Sequence, residues 1–197
     1  MAISNEKSIT LDFIGPLKLT KGDEYLFHSK FVNSEGIYIW TVKDEKNKIN
    51  YVHYIGETGS FGKRQREHLI QITGLNYRII DPDYAKQGTE KIIWNGLWRD
   101  KSPHAVAKLL DNYNEVSKKV IEYIGLINIY FAPTSVEVYI RKHIEGCISW
   151  NLRKKYTDLN IFYPQDNKVG KKTKLLQQKL FVNLPEDIAG IDKEQII

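Results

Sequence analysis

Residues 54–68 read YIGETGSFGKRQREH, three glycines followed by a knot of basic side chains. A loop that cradles a nucleotide phosphate is the first chemistry this suggests. Such a loop needs a Gly-Lys-Ser/Thr ending, so that amides wrap the phosphates and the hydroxyl holds magnesium. The spacing argues against it. Gly56 and Gly62 lie six residues apart, one too many, and Arg64 stands where the hydroxyl belongs. Gly56, Gly59 and Gly62 also miss the dinucleotide-binding pattern. What remains is Arg64 and His68, four residues apart and therefore on one face of a helix. The guanidinium offers a planar fork of donors suited to phosphate oxygens, and the imidazole can exchange a proton near neutral pH. An ordinary solvated basic face is the alternative for this pair.

The two strands expected before this helix add a pattern. The first begins Gly36-Ile37-Tyr38 and the second ends Tyr54-Ile55-Gly56, with Arg64 ten residues past Tyr54 and His68 four beyond that. Downstream, PTSVEVYIRKHIEGCISWNL places Glu137 near the start of a helix and Asn151 fourteen residues on. In this order and spacing the chain resembles the GIY-YIG nuclease family across residues 36–151. It departs from the pattern in two places: 15 residues separate the motif tyrosines, and Asn76–Ser102 has no counterpart.

The resemblance implies a small α/β (α+β) core with a three-stranded mixed or antiparallel sheet flanked by helices. It also implies Mg²⁺-dependent (or Mn²⁺-dependent) hydrolysis of phosphodiester bonds in double-stranded DNA. Tyr38 would act as general base on a water, with His68 assisting its deprotonation. Tyr54 would bond the scissile phosphate or the water, Arg64 would stabilise developing negative charge, Glu137 would hold the cation, and Asn151 would contact the phosphate or orient the site. A free phenol ionises near pH ~10, so Tyr38 needs a neighbouring positive group or a metal field to work at neutral pH. Each residue has a plainer reading as well. Tyr38 and Tyr54 could be strand aromatics in a core. Thr134-x-x-Glu137 is a capping box and Glu137–Arg141 a possible i,i+4 ion pair, while Asn151 could cap a helix end.

The elements that must position these side chains are read from periodicity and breakers. GIYIWTVK (36–43) and NYVHYIGE (50–57) flank a polar turn and form a β-hairpin. A helix follows from Gly62 to Gly74, and Asn76–Ser102 is broken by Asp81-Pro82-Asp83, Gly88 and Gly96, with Trp94 and Trp98 as anchors. Pro103 opens a helix to about Val120 with Val106, Leu109, Leu110 and Tyr113 on one stripe, and IEYIGLINIYFA (121–132) reads as a buried strand. The helix after Pro133 carries Val136, Ile140, Ile144 and Cys147 on one face, Lys172–Leu180 reads as a last helix, and LPEDIAGI as a C-terminal turn. The resulting organisation is an N-terminal extension (1–33), a nuclease-like core (34–152) with the insertion 75–102, and a basic C-terminal extension (153–197).

Composition bounds the function. A chain with 42% hydrophobic residues can build a real core, and one cysteine, Cys147, excludes an internal disulfide and a cysteine-based zinc site. The start, MAISNEKSIT, lacks a signal-peptide pattern and no apolar run is long enough to span a bilayer, so a soluble cytoplasmic protein is expected. Net charge is +5, and residues 141–180 hold ten Lys/Arg against Glu145, Asp158 and Asp166, so that segment is +7 and the remainder −2. Interleaved aromatics make it a candidate polyanion face, with a solvated lysine-rich surface as the alternative. Lys63 and Arg66 beside the motif, and Arg153, Lys154, Lys155, Lys171, Lys172 and Lys174 in the tail, are the candidate DNA contacts. A free-standing chain with these appendages is most like the type II restriction members, which suggests a homodimer joined through the N-terminal extension or the insertion. DNA repair, mobile-element nuclease and catalytically inactive DNA-binding module stay open as alternatives.

Overall fold

A computed structural model describes residues 8–22, 24–158 and 178–197. In chain order the elements are β1 (Ser8–Asp12), β2 (Ile14–Leu17), β3 (Gly36–Asp44), β4 (Ile49–Thr58), α1 (Phe61–Thr73), β5 (Ile79–Ile80), α2 (Pro82–Ala85), β6 (Ile92–Trp94), α3 (Pro103–Leu126), β7 (Asn128–Pro133), α4 (Val138–Asp158), β8 (Lys179–Asn183) and β9 (Glu194–Ile196). The fold is mixed α+β, as the sequence leads one to expect.

The hairpin β3–β4 and strand β7 form the centre of an antiparallel sheet, and β2 from the N-terminal extension adds a fourth strand, giving the order β2-β7-β3-β4. Both faces are covered, which is why β3 is buried at nearly every position instead of alternating. Tyr38, Trp40 and Val42 point to a core shared with α1, α3 and the insertion. Ile37 and Ile39 point to a second core beneath α4 and β8. One irregularity bears on the site. Trp40 pairs with Tyr54 while Thr41 pairs with Val52, so His53 is an extra residue that bulges β4. The bulge puts His53 and Tyr54 on the same side: His53 reaches Tyr123 of α3, and Tyr54 packs on Tyr38.

Helix α1 buries Phe61, Gln65, His68 and Ile72, a stripe at helical spacing. Two of the four are polar. Gln65 accepts from the Trp40 indole N–H at 2.9 Å, which clips α1 to β3 and sets the helix's rotation. Phe61 stacks flat on Phe131 of β7, with ring centroids 4.0 Å apart. At the helix start, the Phe61 and Gly62 amides donate to Ser34 and Val32 carbonyls at 2.9 and 2.6 Å. Those amides are spent on the chain itself, which removes two of the donors a phosphate-cradling loop would use.

Several expected elements are different in the fold. α3 runs on to Leu126, so residues 121–126 of the apolar run are helical and only Asn128–Pro133 is strand. A short apolar run fits either structure, and here Val116, Val120, Tyr123 and Ile124 carry one buried stripe through it. The stripe expected earlier in that helix faces outward: Val106, Leu110 and Tyr113 are exposed, and only Leu109 packs on the core. Of the expected last helix, residues 172–177 lie outside the described residues, while Lys179 and Leu180 belong to β8. That strand pairs in parallel with β1. The C-terminal residues thus close onto the N-terminal extension, and α4 runs through the expected 152/153 boundary. No helix among the described residues is long and apolar enough to cross a membrane.

Candidate active site

Tyr38 and Gly56 are directly paired across the hairpin. The Tyr38 ring lies over Gly56 so closely that a Cβ there would come within 2.4 Å of the phenol oxygen. A glycine is therefore required at the end of β4 for Tyr38 to keep its position. The phenol oxygen is 2.7 Å from His68 Nε2, and Arg64 Nε donates to it at 3.4 Å. Tyr54 stacks beside Tyr38 with centroids 5.9 Å apart, and its ring edge meets His68 at 5.1 Å. Four of the residues singled out in the sequence, Tyr38, Tyr54, Arg64 and His68, thus form one cluster.

Burial governs its protonation. Tyr38 is fully buried, and desolvation, followed by the neighbouring Tyr54, pushes its phenol well above the usual value against the opposing pull of Arg64. The positive neighbour expected from the sequence is present but is outweighed. For His68, burial first and the Arg64 charge second lower the pKa to about 3, so the ring is neutral at physiological pH. Its other nitrogen, Nδ1, is 3.1 Å from the hydroxyl of Tyr77. Tyr77 lies in the insertion, outside the residues that carry the motif.

On the far side of Gly56 the cluster borders an open cleft of about 600 Å³. Its lining includes Tyr54, Gly56, Lys63, Arg64 and three carboxylates, Glu57, Glu67 and Glu145. Arg64 pairs with Glu67 at 3.2 Å, both side chains well exposed. Such an i,i+3 surface pair is worth under ~1 kcal/mol, so a phosphate can displace the carboxylate. Glu57 is held from behind by Arg141 at 3.3 Å, and the Glu57 amide donates to Glu145 at 3.2 Å. Among the described residues there is no cluster of three or more His, Cys, Asp or Glu arranged to hold a metal. A hard cation that keeps most of its waters needs one or two carboxylates and substrate phosphates, and Glu145 at the rim of a cleft with Arg64 and Lys63 fits that donor set.

The structure does not bring two expected residues to this cleft. Glu137 is exposed just ahead of α4, where its backbone carbonyl accepts from Ile140 and Arg141 N–H at 2.9 and 3.0 Å. It is a helix-start residue and does not line the cleft, whereas Glu145 does. Eight residues along a helix is about 12 Å, which is why the nearer glutamate in sequence is not the nearer in space. Asn151 lies mid-helix and donates to Gln195 of β9 at 2.9 Å, a contact between α4 and the C-terminal sheet. The expected Glu137–Arg141 pair is also absent. Arg141 is buried and instead binds Glu35 at 2.6 Å, Glu57 at 3.3 Å and the Val136 carbonyl at 2.6 Å.

The basic residues divide similarly. Lys63 lines the cleft, and Arg66 is exposed on the same helix. Arg153 and Lys154 are exposed on α4, and Lys155 pairs with Asp192. Lys171, Lys172 and Lys174 lie outside the described residues. Arg141 is internal and so is not part of a basic surface. Comparison with protein-family models, curated proteins and solved structures gives no match.

Proposed function

We propose that this chain is a cytoplasmic Mg²⁺-dependent DNA endonuclease of the GIY-YIG kind, working as a type II restriction enzyme. The observation that carries the reading is the Tyr38–His68–Arg64 cluster, with contacts of 2.7 and 3.4 Å, set against a cleft that supplies cations and Glu145. Residues 30 positions apart (Tyr38 and His68) meet in hydrogen-bond contact, which two unrelated core aromatics do not require.

Each group has a task that its position supports. Arg64 and Lys63 bind the phosphate, with Arg64 exchanging Glu67 for the phosphoryl oxygens. Tyr38 takes the proton of the attacking water, and neutral His68 accepts the Tyr38 proton at Nε2. Gly56 is both cleft wall and neighbour of the phenol oxygen, so the water approaches Tyr38 there. Tyr54 fixes the Tyr38 ring by stacking and presents its own edge to the cleft. Glu145, in place of Glu137, would hold the cation, which when bound supplies charge stabilisation at the leaving oxygen.

Cutting both strands of a symmetric site with one site per chain calls for a homodimer. Of the two tryptophans considered for its interface, Trp94 is a core residue and Trp98 is exposed.

Incubation with plasmid and genomic DNA plus Mg²⁺, with sequencing of the ends, tests the proposal. Discrete double-strand ends at one short sequence are expected. Tyr38→Phe, which keeps the ring and the fold, should slow cleavage by on the order of 10² to 10⁴, the usual contribution of a general base. Ends that follow branched or damaged structure would move the assignment to repair. No cleavage of any DNA would remove the nuclease reading.

A further inference from the structure

We propose that Tyr77 is a positioning residue that holds His68 as the Nδ1–H tautomer, leaving the Nε2 lone pair aimed at the Tyr38 hydroxyl. This rests on the proposed role of Tyr38 and His68 as a proton-transfer pair.

Donors and acceptors around His68 assign the tautomer. A neutral imidazole has one N–H and one lone pair, and both His68 nitrogens face phenol oxygens, Tyr38 at 2.7 Å and Tyr77 at 3.1 Å. The Tyr38 oxygen already receives the Arg64 Nε–H at 3.4 Å, and Arg64 has no acceptor to offer in return. Among the described residues, the only partner of Tyr38 able to accept its O–H is therefore Nε2. That assignment puts the ring proton on Nδ1, where Tyr77 Oη accepts it. The opposite tautomer would leave the Tyr38 hydroxyl hydrogen without an acceptor among the described protein groups. When Tyr38 gives up its proton, the O–H bond breaks, an Nε2–H bond forms, and the resulting imidazolium keeps its Nδ1–H directed at Tyr77. Burial that keeps His68 neutral at rest is consistent with this.

Tyr77 is itself held rigidly, and by the insertion. Leu75 adopts a left-handed φ of 57° and turns the chain out of α1. The Trp94 indole and the Leu97 amide both donate to the Leu75 carbonyl, at 2.7 and 3.0 Å. Trp98 N–H donates to the Asn76 carbonyl at 3.3 Å, and its ring meets the Tyr77 ring edge-on at 5.3 Å. Gly96, at φ 84°, lets residues 94–98 lie against residues 75–77, since a Cβ there would be 2.5 Å from the Asn76 carbonyl. The insertion thus acts as a clamp that ends on the hydroxyl beside His68.

The test is a ¹⁵N NMR measurement on histidine-labelled full-length protein, with the His68 signals assigned by their disappearance in His68→Asn. Wild type should show a protonated Nδ1 and a pyridine-type Nε2 at neutral pH. Tyr77→Phe keeps the ring and its Trp98 packing but removes the acceptor, so the Nδ1–H loses its hydrogen bond: its signal should shift and the Nε2–H tautomer should appear as a minor form. The same variant should lower kcat for DNA cleavage by about 10- to 100-fold with little change in KM, the range seen when an orienting partner is removed. A wild-type His68 protonated at Nε2 overturns the proposal whether or not the variant folds, and so does a Tyr77→Phe spectrum identical to wild type. Failure of the nuclease reading would appear separately, as absence of cleavage by a wild-type protein with the expected tautomer.

Discussion

The proposed cation site rests on Glu145 in place of Glu137, and single-atom substitutions separate the two. Glu145→Gln replaces a carboxylate oxygen by an amide nitrogen. The remaining oxygen can still accept from the Glu57 amide, now at 3.2 Å, so weakening that bond costs below ~1 kcal/mol. In a chain of this size that is a fall in Tm of no more than about 2–4 °C. On the proposed reading the functional effect should be much larger, because the carboxylate that would hold the cation is gone even though Glu57 and Glu67 still line the cleft. Removing one group that stabilises transition-state charge costs about 3–4 kcal/mol, or a rate lower by on the order of 10² to 10³.

Glu137→Gln is the control. The side chain is exposed, and the helix-start hydrogen bonds come from its backbone carbonyl, which the substitution leaves in place. Stability should stay within ~0.5 kcal/mol of wild type and cleavage should be unchanged. The assay is single-turnover cleavage of a labelled duplex over a Mg²⁺ series, alongside thermal melts of both variants. A dead Glu137→Gln with a fully active Glu145→Gln would refute the assignment of the cleft carboxylate.

Gly56→Ala should abolish cleavage and destabilise by about 1–3 kcal/mol, since the new methyl would lie 2.4 Å from the Tyr38 oxygen; a stable, active variant in the same melts and cleavage assay would mean the ring can move aside. Acid should destabilise the fold early: His68 and His53 are buried neutral with pKa values lowered to about 3 and 4, so the unfolded chain takes up protons below its ordinary 6.5 while the folded chain does not. Stability is then complete above that value and falls towards pH 4 with a slope approaching ~1.4 kcal/mol per pH unit per histidine, and a flat urea midpoint from pH 7 to 5 would contradict it. Replacing Lys171, Lys172 and Lys174 with Gln should weaken DNA binding and flatten its salt dependence by up to about 0.9 for each phosphate no longer neutralised, as measured by fluorescence anisotropy across a salt series. Sedimentation of Glu145→Gln with cognate DNA should give two chains per duplex, and a strict monomer would count against restriction.

Local pattern is enough to locate the hairpin, α1 and α4, because each carries its own periodicity and ends at a breaker. It also locates the Tyr38, Tyr54, Arg64 and His68 cluster, because two strands and a helix start within 31 residues leave little freedom in how they fold back. What it misses depends on distant packing. The sequence points to Glu137 alone, and it is the packing of α4 against β4 that brings Glu145 instead to the cleft. The partners of Arg141, at Glu35 and Glu57, lie 106 and 84 residues away. Tyr77 follows a glycine and a left-handed leucine in a stretch with no periodicity. Its one signal is proximity: it is nine residues from His68, just past the end of the same helix. Lys179 and Leu180, the start of β8, read as the end of a helix in isolation because their partner strand, β1, is at the other end of the chain.

The cluster has a dry half and a wet half, and Arg64 is what joins them. Tyr38, His68, Gln65 and Trp40 are buried, while Lys63, Glu67 and Glu145 belong to the cleft. Arg64 spans the two, with Nε on the Tyr38 oxygen and its terminal nitrogen on Glu67. On the proposed reading, a phosphate that displaced Glu67 would act on a guanidinium already touching the phenol. In the resting protein burial keeps Tyr38 protonated, so the phenolate is not available to adventitious electrophiles or metals. On the proposed reading, Tyr38 would serve as a base only once an anionic substrate in the cleft engages Arg64, which touches both the phenol and the cleft side.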